Sequence, residues 1–330
     1  MGRRFDPDRA HVKFAISGQS RESTHKIGVS FVILCHKRIG HLKQTLDALI
    51  NCEGIQEAKI IFVAHDSPEA LFGLINQYEF KEKVILRVDN INFDNPSHAI
   101  NNNTFLGLKY AFEDNASDFC CVVEDDIVLS PDALDFMLSS IAVFGKDRRF
   151  RGVMCYSMNS ISTNRLGDVV KINFGIGWGW GINKKIYRKL LKFWTGTELN
   201  HWDYWIEPYI RTGFIVAPVY SRVMNIGFDS TATHTHIDKN TEIRIHQSFK
   251  SAKARSRSDI CEVKFPYYHS RSDLSVISNL NYIQRQSLYL ARQISFYFYL
   301  LAIKGHPRIH FLWRNMRNFI DKKFSNVSTN

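Results

Sequence analysis

No stretch of about 18 uncharged apolar residues runs through this chain of 330 residues, so the sequence presents no confident membrane span. The opening MGRRFDPDRAHVKF carries basic residues but no apolar run and no cleavage site, and it does not read as a secretory signal. There is no internal repeat and no low-complexity tract, which excludes solenoids and other arrays. The six cysteines form no C-x-x-C pair. Four of them (Cys35, Cys120, Cys121 and Cys155) lie in apolar, strand-like runs. That pattern fits reduced, buried thiols in a cytosolic protein better than a disulfide framework or a zinc site.

What is present begins with charge. The formal net charge is +11, and residues 241–330 hold 15 Lys and Arg against 5 Asp and Glu. The excess therefore belongs to the C-terminal quarter. From Gly28 to Phe144, apolar runs alternate four times with amphipathic segments. GVSFVILCHK, AKIIFVAHD, KVILRVD and FCCVVEDD read as strands. RIGHLKQTLDALIN, SPEALFGLINQY, NPSHAINNNTFLGLKYAFED and SPDALDFMLSSIAVF read as helices, with Ser67 and Ser130 as expected caps. This order implies an α/β fold with a mostly parallel sheet flanked by helices. We expect a flexible lead over 1–26, one α/β half over 27–150, a second half of the same domain over 151–245, and a basic, aromatic helical extension over 246–330.

The stretch 118–130, DFCCVVEDDIVLS, carries the most chemistry. Four apolar residues run into Glu124, Asp125 and Asp126. Carboxylates at the carboxyl end of a buried strand sit where open α/β sheets bind ligands. Three adjacent acids repel one another, and a hard cation relieves that repulsion. A divalent metal holding a phosphorylated substrate is one reading. A solvated acidic turn is the other.

Six motifs in order over roughly 27–240 resemble GT-A fold glycosyltransferases, most closely the inverting group represented by the Golgi N-acetylglucosaminyltransferase I. They are FVILCHKRIGHLKQTLDAL, FVAHDSPEA, VVEDDIVLSPDAL, FGIGWGWGINKKIYRKL, WDYWI and SRVMNIGFDSTATH. The resemblance implies transfer of a sugar from a nucleotide sugar, UDP favoured, to a glycan or lipid-linked saccharide. It implies Mn²⁺ or Mg²⁺ as cofactor, between which oxygen ligands do not choose. The Golgi enzymes carry a membrane anchor and stem that this sequence does not show, which points to a cytosolic, bacterial relative.

By that resemblance Asp126 is the direct metal ligand, with Glu124 and Asp125 nearer the ribose and sugar. His234 adds a candidate near metal or diphosphate, ahead of His236; a loop histidine is its plain alternative. Asp203, in W-D-x-W, falls at the base position, though Asn200 could cap a helix carrying Asp203 at its third position. Arg38 matches an arginine near the donor diphosphate. Asp66 could accept a hydrogen bond from a uracil N–H, or cap the helix after it. Asn102 and Asn103 face the same pocket more weakly. Gly175, Gly177 and Gly179 permit tight backbone near the sugar, and Trp178 or Trp180 could stack on it or pack the core. Arg222 could support its loop or meet phosphate.

Residues 286–323 mix Lys and Arg with aromatic side chains. Such a segment suits an anionic membrane surface, or a helical subdomain with its charge solvated. Nucleic acid is the partner least supported, for no recognised module is present. Two other classes stay open. A sugar nucleotidyltransferase would want a glycine-rich, lysine-bearing first turn, whereas CHKRIGH has one glycine. A non-catalytic carbohydrate- or membrane-binding protein on the same fold would not need both Asp126 and Asp203.

Overall fold

The computed structural model describes residues 27–89, 93, 95–157, 167–172, 178–198 and 201–228, together with 261–262 and 294. The strands are β1 Val29–Cys35, β2 Lys59–His65, β3 Glu82–Val88, β4 Phe119–Glu124, β5 Ile127–Leu129, β6 Phe150–Met154, β7 Asp168–Ile172, β8 Trp180–Asn183, β9 Phe214–Pro218, β10 Val223–Asn225 and β11 Cys261–Glu262. The helices are α1 Ile39–Ile50, α2 Glu69–Asn76, α3 Pro96–Lys109, α4 Ala133–Phe144, α5 Lys184–Leu190 and α6 Trp202–Ile210.

Nine strands make one mixed sheet in the order β11-β7-β9-β6-β8-β4-β1-β2-β3. β1 pairs in parallel with β2 on one side and β4 on the other, so the strand order reverses at β1. A crevice opens outside the carboxyl ends of the strands at such a switch point. β8 then runs antiparallel between β4 and β6. β6, β7, β8, β9 and β11 thus extend the sheet that β1 to β4 began, while β10 pairs with β5 apart from it.

The apolar runs of the central strands are buried on both faces: Phe31, Val32, Ile33, Ile60, Ile61, Phe62 and Val63 have no exposed surface. Such strands read as continuous apolar segments because helices cover them. α1 buries Leu42, Leu46 and Leu49 along one face. α3 crosses so close to the sheet that a Cβ at Gly107 would lie 2.4 Å from Val32 Cγ1. Only glycine allows that approach. Asn95 caps α3 by accepting from the His98 N–H at 2.9 Å, and Pro96 fills its first turn.

Two local expectations are corrected. α2 starts at Glu69 with Pro68 at the boundary, and the Ser67 hydroxyl donates to the His65 carbonyl rather than capping. α4 starts at Ala133, and Ser130 donates to Asp132 Oδ1 at 2.6 Å instead of capping it. The residues between the acids and α4 form β5, which pairs antiparallel with β10. Five cysteines are buried and free, and the side chain of Cys261 lies outside the described residues. Among the described residues no helix is long and apolar enough to cross a membrane. The basic segment 286–323 lies almost wholly outside them.

Candidate active site

The site grows out of the β1–β4 register. Leu34 is paired with Glu124, so the turn His36–Arg38 emerges beside Asp125 and Asp126. The Arg38 guanidinium grips both acids: Nη2 meets Asp125 Oδ1, and Nη1 lies 2.8 Å from Asp126 Oδ2. Burial works against the arginine charge, but the two carboxylates outweigh it and raise its pKa. The His36 N–H approaches Asp125 Oδ2 at 3.4 Å, and the Thr45 hydroxyl of α1 donates to the Asp125 carbonyl at 2.9 Å. Burial raises the Asp125 pKa, with Arg38 pulling the other way.

Asp126 is buried, and its Oδ1 has no hydrogen-bond partner. An orphaned buried acceptor in a native fold calls for an explanation. Its carbonyl accepts from the Ile226 N–H at 2.9 Å, which lays the chain after β10 across the acid. There a Cβ on Gly227 would fall 2.0 Å from Asp126 Oδ2. Among the described residues no three His, Cys, Asp or Glu side chains gather into a metal-holding group. A single free carboxylate oxygen still suits a hard cation whose other ligands are diphosphate and water. Glu124, next in line, has its pKa pushed up to about 7 by burial first and the Asp126 charge second, with His201 acting in the opposite sense.

His201 and Asp203 come from the start of α6. Trp202 between them is buried, with its ring 4.8 Å from that of Trp180. Trp180 is paired across β4 with Val122, two residues before Glu124. This packing brings the α6 N-terminus to the acidic end of β4. His201 occupies the N-cap position of α6, with Asp203 the second helical residue, so the Asn200 cap weighed from the sequence does not describe it. His201 Nδ1 lies 2.8 Å from Asp203 Oδ1 and 3.5 Å from the Asp203 N–H. One nitrogen cannot both donate and accept here. The short contact to a carboxylate, which only accepts, decides for Nδ1–H.

At the end of β2, Asp66 has φ +41, a left-handed conformation uncommon for a non-glycine residue. Its Oδ2 lies 3.2 Å from His65 Nε2. His36 donates from Nδ1 to the His65 carbonyl at 2.6 Å, and the two rings stack with centroids 5.2 Å apart. Phe93 meets His65 edge-on. Burial lowers the His65 pKa. These rings and Asp66 line the same edge of the sheet as the acids.

The GNT-I family model matches residues 8–274. The chain belongs to the GNT-I family. It is a glycosyltransferase of the N-acetylglucosaminyltransferase type and uses a nucleotide sugar. Its mostly parallel sheet with flanking helices is the α/β architecture expected from the sequence. Among solved structures, the crystal structure of S. aureus TarS 1–349 shares 10% identity over 92% of this chain and 90% of that chain, with a TM-score of 0.47. The same protein in complex with UDP-GlcNAc shares 9% over 91% and 84%, with a TM-score of 0.49. No curated protein matches.

The other sequence candidates of this family member fall into three groups. Arg38 meets Asp125 and Asp126 directly, Glu124 precedes them at the end of β4, and Asp203 contacts His201 at the start of α6. Asn102 instead donates to the Gly196 carbonyl at 3.4 Å, while Asn103 has a buried Oδ1 with no partner. Trp178 is part-exposed and packs on Tyr156 and Phe228, whereas Trp180 is core. Arg222 is almost wholly buried; it donates to Asp132 at 3.3 Å and to the Tyr220 carbonyl at 2.6 Å, and lies over the Phe136 ring. Those contacts brace the loop. Gly179 has φ +61, which glycine tolerates best. His234, His236, Gly175 and Gly177 lie outside the described residues. The sequence reading missed Thr45, Gly227 and His201. Only His201 left a signal, as a titratable residue two before Asp203.

Proposed function

We propose that this chain is a metal-dependent, inverting glycosyltransferase that moves a sugar from a UDP-sugar, with N-acetylglucosamine favoured, to a hydroxyl of a glycan or lipid-linked saccharide. The observation that carries the reading is Asp126: buried at the β1–β4 switch point, with one oxygen held by Arg38 and the other without a partner.

In this reading Asp126 holds Mn²⁺ or Mg²⁺, with His234 a further ligand. The cation, when bound, supplies Lewis-acid stabilisation of the diphosphate. The chain's own groups do the rest. Arg38 turns part of its guanidinium from the acids to the diphosphate oxygens, for which its fork of donors is suited. Asp66 accepts from the uracil N–H, and Asn102 borders the same pocket. Glu124 and Asp125 hydrogen-bond sugar and ribose hydroxyls. Trp178 lies against the sugar face. Asp203 removes the acceptor proton as the hydroxyl attacks, a role that contributes about 10²- to 10⁴-fold. Residues 286–323 place the enzyme on an anionic membrane, where a lipid-linked acceptor resides.

A donor panel tests this. Nucleotide release is measured from UDP-GlcNAc, UDP-glucose, UDP-galactose and GDP-mannose with Mn²⁺ present. Release from UDP-GlcNAc above the others is expected. Turnover of GDP-mannose alone would refute the uridine assignment to Asp66.

A further inference from the structure

Helix α5 and the turn after it, residues 184–192, hold five cations and no acid: Lys184, Lys185, Arg188, Lys189 and Lys192. The inner face is fixed to the core. Ile186, Tyr187 and Leu190 are buried, the Tyr187 ring stacks on Phe112 at 4.8 Å, and its hydroxyl donates to Glu113 at 2.7 Å. The Leu191 N–H still donates to the Tyr187 carbonyl at 3.1 Å, so helical spacing runs on to that residue. Lys185, Arg188, Leu191 and Lys192 are exposed, and steps of three and four residues gather them on the outer face. Among the described residues none of the five cations is ion-paired, whereas Lys43, Lys59, Lys81, Arg87, Arg149 and Arg211 each meet an acid. Burial first, then the charges of Arg151, Lys185 and Lys192, lower the Lys189 pKa. Arg188 and Lys189 suit the negative end of the helix dipole, but Lys184 and Lys185 stand at its positive end, where a cation is unfavourable. Local helix stability does not account for them.

We propose that the outer face of α5, formed by Lys185, Arg188, Leu191 and Lys192 with Lys184 and Lys189 at its border, docks on an anionic lipid surface. The unneutralised charge attracts anionic headgroups. Leu191, 38% exposed and one of four exposed large hydrophobic side chains among the described residues, enters the boundary between headgroups and acyl chains. A soluble polyanion would meet the cations but gain nothing from the leucine. The contact belongs to the folded domain, is separate from the one proposed for 286–323, and does not depend on the reaction. β8 runs antiparallel to β4 with Asn183 opposite Phe119, so α5 begins at the end of β4 away from Asp125 and Asp126.

The full chain is floated with vesicles of phosphatidylcholine, alone or with phosphatidylglycerol, beside thermal melting and a titration with polyphosphate. Each cation near an anionic surface contributes about fivefold in partition, so Lys185→Gln, Arg188→Gln and Lys192→Gln together are expected to weaken binding to anionic vesicles roughly 100-fold without changing the melting temperature. Leu191→Gln is expected to lose about 3- to 10-fold on the same vesicles and nothing on polyphosphate. A triple variant that binds anionic vesicles as the parent does would overturn the proposal and leave any membrane contact to 286–323. A parent that takes polyphosphate but not anionic vesicles, or a Leu191→Gln variant as tight on vesicles as the parent, would overturn it in favour of a soluble polyanion. Should the triple variant melt early, Lys185→Gln alone decides: a loss of about fivefold supports the docking face, and unchanged binding overturns it.

Discussion

Arg38 Nη1 lies 2.8 Å from Asp126 Oδ2, while the second oxygen of the same carboxylate is buried without a partner. One guanidinium offsets the repulsion between two adjacent acids, yet leaves one acceptor oxygen unused. In the proposed reading a donor diphosphate competes for the same guanidinium.

Removing that guanidinium has two consequences. Arg38→Ala takes the cationic partner from the buried Asp125 and Asp126 and, in the proposed reading, takes donors from the diphosphate. Hydrogen bonds to charged groups contribute about 1.5–3 kcal/mol, so the donor KM is expected to rise roughly 10- to 100-fold. Arg38→Lys restores the charge but not the two-pronged grip, and is expected to recover only part of the loss. Steady-state kinetics over a donor titration checks both.

Gly227 sits against the same acid. An added methyl would fall 2.0 Å from Asp126 Oδ2 and 2.9 Å from Arg38 Nη1. Gly227→Ala must therefore push apart the Arg38–Asp126 pair or the chain after β10. Overpacking of this kind costs about 1–3 kcal/mol. A lower melting temperature and weaker Mn²⁺ binding by calorimetry are expected together. A variant that melts and binds as the parent does would show that this chain segment does not press on Asp126.

Glu124 gives a pH signature. Its pKa is raised from 4.5 to about 7, so the native state holds the proton more tightly than the unfolded chain does. Stability therefore falls as pH rises between those two values, and the loss is complete above about 7. Glu124→Gln mimics the protonated form. In metal-free buffer its melting temperature should gain on the parent across that window and then run parallel. A constant difference at every pH would show that Glu124 titrates normally.

Much of this was legible in the sequence, and the limits have physical causes. β1 to β4 and α1 to α4 announce themselves by local apolar pattern: β1, β2 and β4 are continuous buried runs, the part-buried β3 keeps a shorter one, and the helices carry apolar stripes. β5 does not: three residues become a strand only because Val223–Asn225, distant in sequence, pair with them. Glu124, Asp125 and Asp126 were readable as a cluster because they are adjacent. That Arg38 would bind two of them follows from the β1–β4 register, which no local pattern encodes. Trp178 and Trp180 each read as a sugar platform or as core, and Trp180 lies in the core beside Trp194 and Trp202. Aromatic content alone does not distinguish cleft from core. Nor does a capping pattern: His201 is the cap because packing of Trp202 on Trp180 sets where α6 begins.

The most direct test is UDP release from UDP-GlcNAc by the parent chain and by Asp126→Asn, each with Mn²⁺ and with chelator, beside circular dichroism. The account predicts release by the parent with metal, loss of it with chelator, and a folded but inactive Asp126→Asn in both conditions. Full turnover by Asp126→Asn, or by the parent in chelator, would contradict it.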